Sequence, residues 1–205
     1  MTNMEIIKIK NPMTDENCYL LKNGEFGVLI DPGAKPDDIF KKISGLKVEY
    51  ILLTHCHFDH IAGINELKKV FNADVFISAA DAEGLNNPNI NVSRYLTGNS
   101  FSLTADKQLN DGDVLTFGKD SITVLMTPGH TKGSACFIMG DVIFSGDTLF
   151  KMNIGRYDLP TANAKELLMS LKKIKNLSGD YTVYSGHGDA TTLEFERQNN
   201  FYLKD

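Results

Sequence analysis

Long apolar runs are missing from this 205-residue chain. Stretches such as residues 50–53 and 122–126 fall far short of the roughly 18 residues needed to span a bilayer, so no membrane segment is expected. Basic runs are missing too. With 21 Lys and Arg against 26 Asp and Glu, a net charge of -5, the chain lacks the electrostatic footprint that nucleic acid demands. Cysteine is scarce: Cys18, Cys56 and Cys136 stand singly and are odd in number. That argues against a paired-cysteine zinc finger and suits reduced thiols in a cytoplasm better than a disulfide framework. Residues 1–10 alternate apolar and charged side chains instead of offering a basic start and a greasy stretch, so no export signal is read and a cytoplasmic location is expected. Low-complexity segments and sequence repeats are absent. What remains is ordinary globular composition, expected to form one domain over residues 1–205.

Two meanders frame the chain. Residues 4–9, 17–21 and 26–30 read as short strands broken at Asn11-Pro12 and Asn23-Gly24. Pro36 opens a helix whose Ile39, Phe40 and Ile43 share a face, with Asp37 and Asp38 in its first turn. Residues 48–53 form a nearly continuous apolar run, as expected of a strand buried on both faces. A helix is predicted over 63–71, with Ile64, Leu67, Val70 and Phe71 inward, and a strand over 75–77. Residues 84–104 lack periodicity and read as a loop near a site or a loosely held lid. The second meander covers 107–109, 114–117, 121–126, 135–139 and 142–144. Asn163 caps a helix, with Glu166 as capping-box partner and an inward stripe of Ala164, Leu167, Leu168, Leu171 and Ile174. A strand at 181–184 and a helix at 191–199 complete the order. Strands followed by helices in both halves predict two packed β-sheets with helices outside.

All five histidines fall where a predicted strand gives way to a loop. In Thr54-His55-Cys56-His57-Phe58-Asp59-His60, an extended backbone points His55 and His57 the same way. His130 and His187 follow later strands, and Asp147 follows residues 142–144. Imidazole and carboxylate donors suit zinc, manganese and iron. Seven candidate ligands exceed what one ion with an open position can use, so two ions sharing a carboxylate is the economical reading. Two divalent ions, two carboxylates, a hydroxide and neutral imidazoles sum to about +1, a site that attracts anions. Metal coordination lowers the pKa of water from about 15.7 to near 7 and polarises a carbonyl, so hydrolysis of an activated acyl group follows.

Together with Pro128-Gly129-His130-Thr131, Gly146-Asp147-Thr148-Leu149-Phe150 and Gly186-His187-Gly188, this pattern resembles the metallo-β-lactamase superfamily over residues 4–191. Asp147, with Gly155-Arg156-Tyr157-Asp158-Leu159-Pro160, looks like its glyoxalase II branch, the hydroxyacylglutathione hydrolases and their short relatives. The resemblance implies an α+β fold, a four-layer αβ/βα sandwich of two mixed sheets. It implies that His55, His57 and His130 hold one ion, that Asp59, His60 and His187 hold a second, and that Asp147 bridges them. Two divalent ions are implied, zinc first and iron or manganese as options, with Asp59 and Asp147 catalytic as well as ligating. Asp31, in Ile30-Asp31-Pro32-Gly33, matches a family turn that supports the ligands from behind.

The expected reaction is hydrolysis of a small anionic acyl thioester, with metal-bound hydroxide attacking the carbonyl and thiolate departing. Lys151, Arg156 and Tyr157 follow Asp147 closely enough to reach substrate, although loop cations are commonly just solvated. Thr131 and Ser185 either orient ligands or cap backbone groups. Cys56 faces away from its flanking ligands as a small buried apolar residue, and Cys18 and Cys136 belong to the core. On the same scaffold, a persulfide dioxygenase with one iron at His55, His130 and Asp147, a lactonase, and a non-enzymatic metal-binding module are the alternatives. An antibiotic-degrading β-lactamase is disfavoured by Asp147, where those enzymes usually carry Cys, and by the missing export signal. Nucleases of the superfamily usually append a further domain.

Overall fold

The structure is a computed structural model that describes residues 4–204. Its first sheet has the order β1 (Glu5–Lys10), β2 (Asn17–Asn23), β3 (Phe26–Ile30), β4 (Lys47–Leu52), β5 (Asp74–Ser78) and β6 (Lys107–Leu109). The pairs from β1 to β3 are antiparallel, and those from β3 to β6 are parallel because helices return the chain between them. The second sheet is built from β7 (Val114–Phe117), β8 (Asp120–Met126), β9 (Ala135–Met139), β10 (Val142–Gly146), β13 (Thr182–Ser185) and β14 (Thr191–Thr192). Only β10 and β13 pair in parallel in it. Between β10 and β13 the chain makes a small hairpin, β11 (Leu149–Phe150) with β12 (Asn153–Ile154).

Alternation along the strands makes three cores and therefore four layers. Tyr19 and Leu21 of β2 face Phe137 of β9 and Phe144 of β10, filling the space between the sheets. Their neighbours Cys18 and Leu20 face the other way, onto Ile39 and Ile43 of α1 (Pro36–Ile43) and, past α2 (Phe58–Ile61), Ile64 and Leu67 of α3 (Ile64–Val70). Cys136 and Ile143 of the second sheet meet Leu167, Leu171 and Ile174 of α5 (Ala164–Lys175) and Leu193 of α6 (Leu193–Asn199). Each such buried aliphatic side chain contributes roughly 1.5–3 kcal/mol of transfer free energy. No helix among the described residues is long and apolar enough to cross a membrane.

Several expectations change. Residues 63–71 form the shorter α3, and Val70, predicted inward, is exposed. Ala164 and Leu168 also face solvent, and the small Ser170 turns inward to donate to the Pro128 carbonyl at 2.7 Å. In β4 the both-faced burial is confined to Ile51 and Leu52, while Glu49 is exposed. The capping box is half made. Asn163 Oδ1 accepts from Lys165 and Glu166 amides at 3.0 and 3.2 Å, but the Asn163 N–H already donates to Gly129 O at 2.8 Å, which leaves nothing for the Glu166 carboxylate to accept. Residues 84–104 contain a five-residue helix, α4 (Ser93–Thr97), between Val92 and Gly98, both with left-handed backbone.

Candidate metal centre

Strand ends bring the seven residues together. His55 and His57 follow β4, His130 follows β8, Asp147 follows β10 and His187 follows β13. One helical turn, α2, begins immediately after His57 and swings Asp59 and His60 into the same space. The loops pass so closely that two positions need glycine. A Cβ on Gly186 would lie 2.3 Å from Asp147 Oδ1, and one on Gly146, whose φ is +49°, would lie 2.4 Å from Thr54 Oγ1.

Donor atoms of His55, His57 and His130 lie within 4.8 Å of one another, as do those of Asp59, His60 and His187, and those of Asp31, His55 and His60. His57 Nδ1 faces His130 Nε2 at 2.9 Å, and His60 Nε2 faces His187 Nε2 at 3.3 Å. Asp147 stands between the first two groups: Oδ1 is 3.4 Å from His60 Nε2, and Oδ2 is 3.5 Å from His130 Nε2 and 3.6 Å from His187 Nε2. Asp59 Oδ2 lies 3.4 Å from His187 Nε2.

Buried polar atoms ordinarily find hydrogen-bond partners, yet His55 Nε2, His57 Nε2 and Asp147 Oδ1 have none. Grouped imidazole nitrogens and carboxylates, three of their buried atoms without a hydrogen-bond partner, are the donor set a borderline divalent ion takes, so the residues present fit such an ion. The far sides of the rings are held. Asp31 Oδ2 lies 3.1 Å from His60 Nδ1 and accepts Thr54 Oγ1 at 2.6 Å, while Asp31 Oδ1 accepts the Thr54 N–H at 2.8 Å. Thr54 Oγ1 lies 3.0 Å from His55 Nδ1, and His130 Nδ1 lies 2.8 Å from the Arg156 carbonyl. Such partners fix tautomer and ring orientation.

Electrostatics divide the imidazoles into two kinds. Burial, reinforced by neighbouring rings, pushes His55 well below the usual histidine range and His57 down to about 3, so both are neutral at pH 7. Burial pushes His60 the same way, but Asp147, Asp59 and Asp31 outweigh it and raise His60 well above that range. His187 is raised too, by Asp59 and Asp147 against its burial. Asp59 and Asp147 are pushed up by burial but pulled down further by the His60 charge.

A cavity of about 320 Å³ opens over this floor, with His57, Asp59, His130, Asp147 and His187 at its base and Arg156 on its wall. Lys151 and Tyr157 do not line it: Lys151 reaches Asp189 at 3.7 Å, and Tyr157 faces a neighbouring depression. Among the described residues neither Thr131 nor Ser185 hydrogen-bonds an imidazole ring. Thr131 Oγ1 donates to Asp81 at 2.7 Å, and Ser185 Oγ donates to the His187 carbonyl at 2.6 Å. Cys18, Cys56 and Cys136 are buried, as expected.

Asp81 and Glu16 carry no motif, and sequence reasoning passed over both. Asp81 Oδ2 accepts the Cys56 N–H at 3.0 Å besides Thr131 Oγ1, and Oδ1 accepts the Gly133 N–H at 2.8 Å, tying the His55–His57 loop to the His130 loop. Its one legible signal is its place three residues past a strand end, where the other site residues also sit. Glu16 is buried with both carboxylate oxygens unpartnered, and burial raises it well above the carboxylate range. Its backbone bridges to His187, so the start of β2 supports that loop.

The Lactamase_B family, described as the metallo-beta-lactamase superfamily, matches residues 12–187. A protein of Streptococcus pyogenes serotype M6 named a probable metallo-hydrolase is 34% identical, over 96% of this chain and 89% of its own length. A hydroxyacylglutathione hydrolase of Francisella philomiragia is 36% identical, over 82% of this chain and 61% of its own length. Among solved structures, the BLEG-1 B3 metallo-beta-lactamase superposes with a TM-score of 0.92 at 33% identity, covering 98% of this chain and all of that one. TTHA1623 in a di-iron-bound form gives a TM-score of 0.85 at 34% identity, covering 96% of this chain and all of that one. With two mixed sheets between outer helices and a histidine-aspartate cluster at their strand ends, the chain belongs to the metallo-β-lactamase superfamily.

Proposed function

We propose that this metallo-hydrolase works with two divalent ions and cleaves a small acyl thioester. The observation that supports the reading is the position of Asp147, whose carboxylate lies within 3.6 Å of His60, His130 and His187 and so adjoins both donor groups. His55, His57 and His130 would hold one ion, Asp59, His60 and His187 the other, and Asp147 both. When bound, such ions acidify water and polarise a carbonyl oxygen. The chain's own residues do the rest. Asp31 and Thr54 keep His60 and His55 turned inward, and the Arg156 carbonyl does the same for His130. Leu159, Ile154 and Phe150 give the cavity apolar walls that limit water around the reacting carbonyl. The di-iron form of TTHA1623 supports iron as a candidate alongside zinc and manganese, and the hydroxyacylglutathione hydrolase relative supports a thioester.

The test is elemental analysis of purified protein joined to a screen of acyl thioesters, lactones and β-lactams, the last because of the BLEG-1 likeness. Two ions per chain and thiol release from thioesters are expected. His130→Ala and Asp147→Ala should lose metal and at least about a hundredfold in kcat/KM. Two bound ions without turnover of any thioester would remove the reading. One iron per chain with oxygen uptake on glutathione persulfide would point instead to an oxidoreductase.

A further inference from the structure

Part of the cavity wall is an apolar lip. Val92, Tyr95 and Leu96 line it, and Tyr95 and Leu96 are 81% and 49% exposed, although side chains of this size ordinarily seek cover. The lip begins on a strained residue: Val92 has φ +56°, a left-handed conformation that a β-branched side chain rarely adopts. Asn91 over-determines it. Its Nδ2 donates to the Leu85 and Phe101 carbonyls, its Oδ1 accepts the Ser93 N–H, and its carbonyl accepts the Phe58 N–H, one residue before Asp59. The lip is thereby anchored to the loop that carries the second donor group.

Beyond Leu96 the apolar surface continues. Leu96 lines a second groove of about 430 Å³, with Met13, Ala34, Pro36, Phe58 and Ala62 among its walls. Met13 is 79% exposed, and Phe58 is braced by Phe101 at 5.3 Å between ring centroids. Lys and Arg are sparse along this path. Among the described residues Arg156 is the one Lys or Arg in the wall of the metal-side cavity, and Asp158 occupies its Nε and Nη2 at 2.7 and 2.9 Å. The second groove adds only the exposed Lys35.

Resting on the thioester reading above, we infer that the substrate carries an unbranched, uncharged hydrocarbon chain, which runs from the metal-side cavity over Leu96 into the groove bounded by Met13 and Phe58. Its carbonyl lies over Asp147, and its tail displaces water from a surface that is already apolar. Each methylene buried there strengthens binding by up to about fourfold, from about 0.8 kcal/mol per CH₂.

Two measurements on the zinc-loaded protein test this. Straight-chain methyl ketones from acetone to 2-undecanone, which cannot be hydrolysed, are titrated against methyl-labelled methionine and leucine by NMR. The Met13 and Leu96 methyl signals should shift with 2-undecanone and not with acetone, and affinity should climb with chain length. In parallel, decanoyl N-acetylcysteamine should exceed both butanoyl N-acetylcysteamine and S-lactoylglutathione in kcat/KM by at least tenfold, and Met13→Glu and Leu96→Glu should each cut the decanoyl-to-butanoyl ratio at least tenfold. A still Met13 signal, affinity independent of length, or a ratio indifferent to both substitutions overturns the inference. Length-dependent ketone binding without turnover of any thioester would uphold the groove and remove the hydrolase reading. Turnover without length dependence would do the reverse.

Discussion

Replacing Asp81 with Asn probes how the two ligand loops are held. The carboxylate is 1% exposed and receives three donors: Cys56 N–H at 3.0 Å, Gly133 N–H at 2.8 Å and Thr131 Oγ1 at 2.7 Å. Hydrogen bonds to a charged acceptor contribute about 1.5–3 kcal/mol each, and a buried donor left unpaired costs about 1–3 kcal/mol. Asparagine keeps one oxygen for the side that serves Cys56 and Thr131, but its amide then meets the Gly133 N–H donor to donor. A loss of about 2–3 kcal/mol follows, against a total stability of about 5–15 kcal/mol. With a urea slope of about 2 kcal/mol/M, the unfolding midpoint of the metal-free protein should fall by about 1 M with the slope unchanged. Because Cys56 lies between His55 and His57, and Thr131 follows His130, zinc affinity measured by chelator competition should also drop, by about 10–100-fold, well below the unfolding transition. An unchanged midpoint would show that the three contacts carry no net stability. A lowered midpoint with unchanged zinc affinity would show that Asp81 braces the fold without positioning the ligands.

Two further outcomes follow from the site and from α5. A histidine whose pKa is raised keeps its proton at pH 6 and must release it to bind a metal, whereas one whose pKa is depressed has none to release. Zinc binding at pH 6, followed calorimetrically in buffers of different ionisation heat, should therefore release at least one more proton on loading the Asp59, His60 and His187 group than His55 and His57 release, and that group's affinity should weaken as pH falls; equal release in both steps would contradict the division of the imidazoles. Asn163→Ala removes the acceptor for two amides at the start of α5 and should lower stability by about 1 kcal/mol in urea unfolding, an unchanged midpoint refuting the cap.

The strands of both meanders were readable because alternation is local: Cys18 and Tyr19, or Cys136 and Phe137, must point to opposite faces of any strand that contains them. So were the four segments that carry the candidate metal ligands, since each puts histidine or aspartate just past a strand end. Helix faces were less legible. Leu168 lies beside Leu167 on α5, and only the position of the second sheet decides which of the two is covered.

What the sequence determined by itself was a donor set and a two-sheet pattern. The tertiary structure decided the rest, because the deciding contacts join residues far apart in the chain. Asp81 matters through amides 25 and 52 residues away. The turn of helix that aims Asp59 and His60 is pinned at Phe58 by the Asn91 carbonyl, and the apolar lip exists only because the same buried asparagine holds Val92 in a conformation its side chain disfavours. Backbone angles of that kind leave no periodic trace, since they are imposed by surrounding hydrogen bonds against local preference.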